Sequence, residues 1–218
     1  SSGYSWANQA GNWRLLGTCC LTTRQFIKCL AVLEECFVMK INVVGTSGSG
    51  KSTLAKQLAD VLNTPCIQLD QLFWRANWQG SPDDVFFAKL EEALVASSES
   101  WVLDGNFNRT RPIKWHDVDM VVWIDYPFWR VFTQAIFRAT KRIISQDELW
   151  PGTGNRESLR KTFLSRESVL LWSLKTWRQN RQRYFADMID PRYAHIQFVR
   201  LTSRKEAKSL VKRLSTLD

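Results

Sequence analysis

No stretch of about 18 consecutive apolar residues occurs in the 218-residue sequence, so no membrane-spanning helix is expected. Cysteine is nearly absent outside one end: Cys19, Cys20, Cys29 and Cys36 precede Met39, and only Cys66 follows it. None has Cys-x-x-Cys spacing or a partner histidine, which argues against both a zinc site and a disulfide framework. A core almost free of cysteine fits a reducing cytoplasm. There is no internal repeat and no low-complexity tract. No helix-turn-helix, zinc-finger or RNA-binding signature is present either, so no motif supports a nucleic-acid partner. What remains is an ordinary globular composition, 44% hydrophobic and 23% charged. One α/β domain can use such a length.

The first 38 residues read differently from the rest. The chain starts Ser1-Ser2-Gly3, whereas Met39-Lys40 opens directly into an apolar strand as a natural start would. Residues 1–38 are therefore expected to be an appended or upstream-translated segment outside the fold. Arg24, Lys28, Glu34 and Glu35 interrupt their apolar stretches, which fits a signal peptide poorly. Residues 39–218 are expected to form the domain.

Formal charge is +9 and unevenly placed. Residues 39–126 carry 8 basic against 11 acidic side chains; residues 127–218 carry 19 against 8. A half this basic suggests a polyanionic partner, either DNA or RNA or the triphosphate of a nucleotide. Nothing in the sequence sets an oligomeric state.

Apolar runs alternate with helical patterns. Strands are expected at Lys40–Val44, Cys66–Asp70, Trp101–Gly105, Asp119–Asp125 and His195–Leu201. Helices are expected at Lys51–Leu62, Ser81–Ala96, Pro127–Ser145, Ser165–Met188 and from Ser203 to Leu214. Gln71–Gly80 reads as a Trp-rich loop. Continuous apolar strands between helices mark a parallel sheet covered on both faces.

Between the first strand and first helix lies Gly45-Thr46-Ser47-Gly48-Ser49-Gly50-Lys51-Ser52-Thr53, which fits G-x-x-x-x-G-K-[ST]. Glycines let the backbone wrap its N–H groups around phosphate oxygens, and the following helix aims its N-terminus at the same phosphates. Lys51 supplies a point charge for the β- and γ-phosphates, and the Ser52 hydroxyl a ligand for Mg²⁺. The expected ligands are ATP and Mg²⁺. An Asn-Lys-x-Asp base-reading motif, usual in a GTPase, does not appear.

Met39–Val44 with its P-loop, Leu69-Asp70-Gln71-Leu72-Phe73-Trp74, and Trp101-Val102-Leu103-Asp104-Gly105-Asn106 together resemble a bacterial family related to adenylate kinases and known as DNA topology modulation proteins (FlaR-like). The resemblance covers about residues 39–214. It implies a three-layer P-loop, nucleoside-monophosphate-kinase-like fold with a five-stranded parallel sheet of order 2-3-1-4-5 and a helical lid around 138–165. It further implies an ATP-dependent phosphotransferase and a small-molecule acceptor opposite the ATP. The acceptor stays unidentified, a nucleotide or nucleoside among the choices; the alternative is an ATP-binding regulator or ATPase associated with DNA through the basic half.

On that resemblance Asp70 binds the acceptor hydroxyl and acts as base, and Asp104 orients Mg²⁺ water. Asp104–Arg109 is similar to the Asp-Gly-Phe-Pro-Arg segment of adenylate kinases, but Asn-Phe-Asn replaces Phe-Pro, which puts an AMP-type acceptor in doubt while leaving Arg109 able to meet an anion. Arg138 and Arg142 share a helix face and match two arginines found where the lid of adenylate kinases begins. They are expected to enter the site only on closure of a Gln146–Ser158 loop. Arg156 and Arg160 are further lid candidates. Phe73, Trp74 and Trp78 either wall the acceptor pocket or pack, and no role is assigned among Arg178, Arg181 and Arg183. His116 and His195 read as structural. Leu201-Thr202-Ser203-Arg204 lies where related kinases hold adenine.

If residues 1–38 are dispensable, a chain starting at Met39 keeps its thermal midpoint and its ATP affinity. A loss of several degrees, the shift expected from about 1 kcal/mol or more, would show that the segment packs on the domain.

Overall fold

The structure, a computed structural model, describes residues 38–97, 99–145, 153–154 and 169–216, except for the side chains at 139, 142, 143 and 169–176. Five parallel strands form one sheet in the order β2-β3-β1-β4-β5. They are β1 (Lys40–Gly45), β2 (Cys66–Gln68), β3 (Trp101–Asp104), β4 (Met120–Ile124) and β5 (Gln197–Leu201). The connecting helices are α1 (Lys51–Val61), α2 (Leu69–Phe73), α3 (Asp83–Ala96), α4 (Arg111–Lys114), α5 (Phe128–Ser145), α6 (Val169–Met188) and α7 (Arg204–Leu214). The sheet order agrees with the expectation.

Strand alternation divides the core between the two faces of the sheet. Ile41, Val43, Val102, Val122 and Ile124 pack with Leu54, Leu58, Leu210 and Leu214 from α1 and α7. Val44, Leu103, Val121 and Trp123 pack with Phe86 and Leu90 of α3, Trp115, and Tyr184 of α6. Each fully buried side chain of this size contributes about 1.5–3 kcal/mol. The helix ends are equally legible: Ser203 Oγ accepts from Glu206 N at 3.3 Å, and the Glu206 carboxylate accepts from Thr202 N at 2.7 Å. That is a capping box displaced by one residue.

Several boundaries differ from the sequence expectation. The second strand ends at Gln68, and Leu69–Phe73 turns into a helix. Leu69 drives the change: it is fully buried, and a Cβ on Gly105 would lie 2.8 Å from the Leu69 Cβ, so the chain dives against the β3 turn instead of extending. The Trp-rich stretch after it is ordered by a Trp74–Gly80 bridge, which Gly80 permits because a Cβ there would meet the Phe73 ring at 2.5 Å. β4 and β5 are shorter than expected, and Arg111–Lys114 is a helix not anticipated. The fourth helix of the expectation, Ser165–Met188, is described only from Val169.

A polar network runs through the second core. Asn42, fully buried in the central strand, donates through Nδ2 to Leu103 O at 2.9 Å and Gly105 O at 3.3 Å. Its Oδ1 accepts from Trp115 Nε1 at 2.9 Å. Lys114, also buried, donates to the same Gly105 carbonyl at 3.3 Å. Buried amides must be paired internally or cost about 1–3 kcal/mol each, so these bonds fix the turn that follows β3. Burial, reinforced by Arg111 and Arg183 and opposed by Asp104, pushes the Lys114 ammonium down to about 7.

Between about pH 7 and 10.5 the unfolded chain then binds a proton at Lys114 that the folded chain does not, so stability rises with pH across that window. Below it the full penalty of the buried charge is present. Lys114→Met should flatten the slope in urea melts from pH 7 to 10; an unchanged slope would place the titration elsewhere.

Candidate functional site

The phosphate cradle forms where β1 ends. Gly48 and Gly50 adopt left-handed backbone, with φ of 84° and 94°, which side-chain-bearing residues rarely enter. Gly48 has a second constraint. A Cβ there would stand 2.8 Å from the Ala135 Cβ and 3.2 Å from Val131 O, so the loop lies flush on α5. Gly50 precedes α1 without any side-chain cap. The first helical N–H groups have no intrahelical acceptor by geometry, and an uncapped N-terminus beside a glycine-rich turn suits an anion.

Lys51 folds back over this loop, its Nζ 3.4 Å from Thr46 O, while Ser49 N closes the turn on the same carbonyl at 3.1 Å. Burial holds the Lys51 pKa below its usual value; the charges of Asp104 and Asp70 act against that, and Arg138 with it. One lysine is thus placed among two carboxylates and an arginine. Asp104 closes β3, in register with Val43 of β1 and Gln68 of β2. It is 6% exposed, and its Oδ1 is buried with no hydrogen-bond partner among the described residues. Ser49 Oγ is likewise buried and unpartnered there. Ser52 and Thr53 lie exposed in the first turn of α1. A carboxylate oxygen without a described partner and an exposed serine hydroxyl suit a Mg²⁺ ion that takes its remaining ligands from phosphate and water, while the Lys51 ammonium suits the phosphate oxygens.

Asp70 sits in the first turn of α2, exposed, not at the end of a strand as expected. Its field still reaches Lys51. Beside it the aromatics pack chiefly on one another: Phe73 lies 4.9 Å from both Trp74 and Phe107, and Trp74 5.8 Å from Trp78. Asn77 and Trp78 are consecutive non-glycine residues at φ of 59° and 60°, a strained turn at the rim of this surface. Arg109 lies 4.9 Å above the Phe73 ring and pairs with Asp83 at 3.1 Å.

Arg138 donates from Nη2 to Ser47 Oγ at 3.2 Å. The expectation that it enters the site only on closure is therefore overturned: α5 already holds its backbone close enough, because Gly48 packs under Ala135 one turn away. The Arg142 side chain, Arg156, Arg160 and the Gln146–Ser158 loop apart from Thr153 and Gly154 lie outside the described residues. α5 itself remains helical to Ser145, so residues 138–145 of the segment expected as a lid are regular helix.

Several other cations are paired with carboxylates. Asp125, its side chain 2% exposed, takes both Arg181 at 2.9 Å and Arg200 at 2.6 Å. Arg111 is held by Asp187 at 2.9 Å, and Arg192 by Asp190 at 2.6 Å. These last two arginines line a cavity of about 390 Å³ with His116, Tyr193 and His195, already neutralised by their own aspartates. His195 bonds the Trp115 carbonyl at 3.1 Å, in keeping with a structural role. Sequence reading missed Asn42, Lys114, and the task of Asn106, whose side chain pairs with Gly45. Asn42 alone gave a signal, as a polar residue within an apolar central strand.

The strand order and the glycine loop after the central strand define a three-layer P-loop fold of the nucleoside-monophosphate-kinase arrangement. No protein-family model matches the chain. A stretch of 62 residues, 28% of the chain, is 40% identical to shikimate kinase of Corynebacterium diphtheriae and spans 35% of that kinase's length. Similar solved structures include a gluconokinase from Sinorhizobium meliloti 1021, 21% identical over 83% of this chain and 95% of that one, with a TM-score of 0.45. A sugar kinase from Janibacter sp. HTCC2649 is 17% identical over 82% and 93%, with a TM-score of 0.46. No helix of the described residues is long and apolar enough to cross a membrane.

Lys51→Ala should weaken ATP binding roughly 10- to 100-fold, the worth of a hydrogen bond to a charged group, while the protein stays folded. Calorimetry with unchanged affinity in a folded variant would remove the loop from nucleotide binding.

Proposed function

We propose that the chain is an ATP-dependent kinase that moves the γ-phosphate of ATP to the hydroxyl of a small acceptor. The observation that carries the reading is the buried, unpartnered Asp104 oxygen beside Lys51 at the mouth of an uncapped glycine loop. A carboxylate so desolvated is costly unless a cation completes it. The sequence likeness to shikimate kinase adds support, within the stretch it covers.

The loop amides and Lys51 would hold the β- and γ-phosphates of ATP. Ser52 and Asp104 would hold Mg²⁺, which when bound neutralises charge gathering on the phosphoryl group. Asp70 takes the proton of the acceptor hydroxyl as that oxygen bonds to the γ-phosphorus, and the bond to the β,γ-bridging oxygen breaks to release ADP. Arg138, which donates to Ser47, is proposed to meet charge on the transferred group, and Arg142 and Arg156 to join it. Trp74 and Arg109 are proposed to border the acceptor. The kinship with adenylate-kinase-related DNA topology modulation proteins, a nucleotide or nucleoside acceptor, and a cytoplasmic setting belong to the same reading. The DNA-associated alternative gains no support: no nucleic-acid-binding motif is present in the sequence, while Arg111, Arg181 and Arg200 are taken by carboxylates and Arg138 reaches the P-loop.

ADP release from the purified protein against a panel of nucleosides, nucleotides, sugars and hydroxy acids tests the proposal; no acceptor-stimulated release from any class would count against it. With an acceptor in hand, Asp70→Asn should leave ATP binding intact and lower transfer about 10²- to 10⁴-fold, as loss of a general base does. Equal rates would remove Asp70 from the mechanism.

A further inference from the structure

The backbone ladder between β1 and β3 ends with Gly105 N donating to Val43 O at 3.2 Å. The next rung would fall on Gly45, the first residue of the P-loop. A side chain fills it instead. Asn106 Oδ1 accepts from Gly45 N at 2.9 Å, and Asn106 Nδ2 donates to Gly45 O. An asparagine amide has the same donor and acceptor as a peptide group, so it can satisfy both backbone groups of one residue. The substitution releases the main chain after Gly105, which turns away to carry Phe107 and Arg109 toward α3. The Gly105 carbonyl, which accepts from side chains, is taken by Asn42 and Lys114.

A third contact comes from α6. Tyr184 Oη, on a side chain 1% exposed, donates to Asn106 Oδ1 at 3.2 Å, and its ring lies 5.5 Å from Trp123 of β4. One side-chain amide therefore joins the mouth of the phosphate loop, the turn directly after Asp104, and a helix on the covered face of the sheet.

We propose that Asn106 is a positioning residue, which clasps Gly45 so that the P-loop and the Asp104 carboxylate hold a fixed separation for the Mg²⁺–triphosphate. Its described partners are Gly45 and Tyr184. Its work is geometric: displacement of a reacting group by about 1 Å can cost on the order of 10²-fold. The proposal rests on the nucleotide reading of the P-loop, and its test separates the two.

Amide hydrogen exchange in the ligand-free protein reads the clasp directly. In Asn106→Ala the Gly45 amide should exchange at least roughly tenfold faster than in wild type, the protection of about one net hydrogen bond. Calorimetry with ATP, in Mg²⁺ and in chelator, reads the consequence. The gain in affinity that Mg²⁺ brings to wild type should shrink several-fold in the variant, whereas affinity in chelator changes less. A residue that merely supports the fold would lower both together. Asn106→Asp keeps an acceptor for the Gly45 N–H but loses the donor to its carbonyl. It should retain protection at Gly45 and still lose part of the Mg²⁺ gain, so the test survives if Asn106→Ala fails to fold. Unchanged Gly45 exchange in the alanine variant overturns the clasp, and an unchanged Mg²⁺ gain in whichever variant folds overturns the positioning role. A wild-type protein that binds no ATP sinks the nucleotide reading, while the exchange comparison still decides whether Asn106 fixes Gly45.

Discussion

An amide buried in the middle of a central strand must find every hydrogen bond inside the protein, and Asn42 does so by reaching sideways to β3 and back to Trp115. Much else follows from that demand. The Gly105 carbonyl is drawn inward, Lys114 is drawn to the same oxygen, and the chain after β3 leaves the sheet one residue early. Asn106 then arrives over Gly45 rather than beside it. The phosphate loop and the acid at the end of β3 are thus set by polar chemistry beneath the site, in a core that is otherwise apolar.

The two charged halves of the sequence acquire distinct meanings in three dimensions. The excess of arginine after residue 127 suggested a polyanion. Part of it is internal carpentry: Arg181 and Arg200 share one carboxylate, and their faces rest on Trp177 and on Trp123 and Phe185. Guanidinium groups are suited to such a place, since they stack on rings while still donating at their edges. Arg138 is the described member of this set that reaches the phosphate loop. Charge counted along a sequence therefore overstates the charge offered to a ligand.

The P-loop was legible because its information is local: nine consecutive residues carry the glycines, the lysine and the hydroxyl, with a strand before and a helix after. The strand order was also anticipated, through the family resemblance, and the sheet agrees. Local pattern failed where a distant contact decides. Leu69-Asp70 continues an apolar run and reads as strand, yet burial of Leu69 against Gly105 winds it into a helix and moves Asp70 off the sheet edge. The clasp and the Asn42 network were invisible for the same reason, since their partners stand 61 to 73 positions apart. Arg138 meets Ser47 of the P-loop without the closure expected of it, because packing of a glycine under Ala135 leaves no spacing signature.

The sheet order also has a history in time. β1 leaves the ribosome first among the strands but pairs only with β3 and β4, whose partner residues lie about 61 and 79 positions further on. At roughly 5–20 residues per second, the central strand spends several seconds without a neighbour. During that interval Ile41 and Val43 face the side that α1 covers, so the helix at the phosphate loop is the first neighbour available to the nascent strand, while Val44 on the other face waits for α3 and α6.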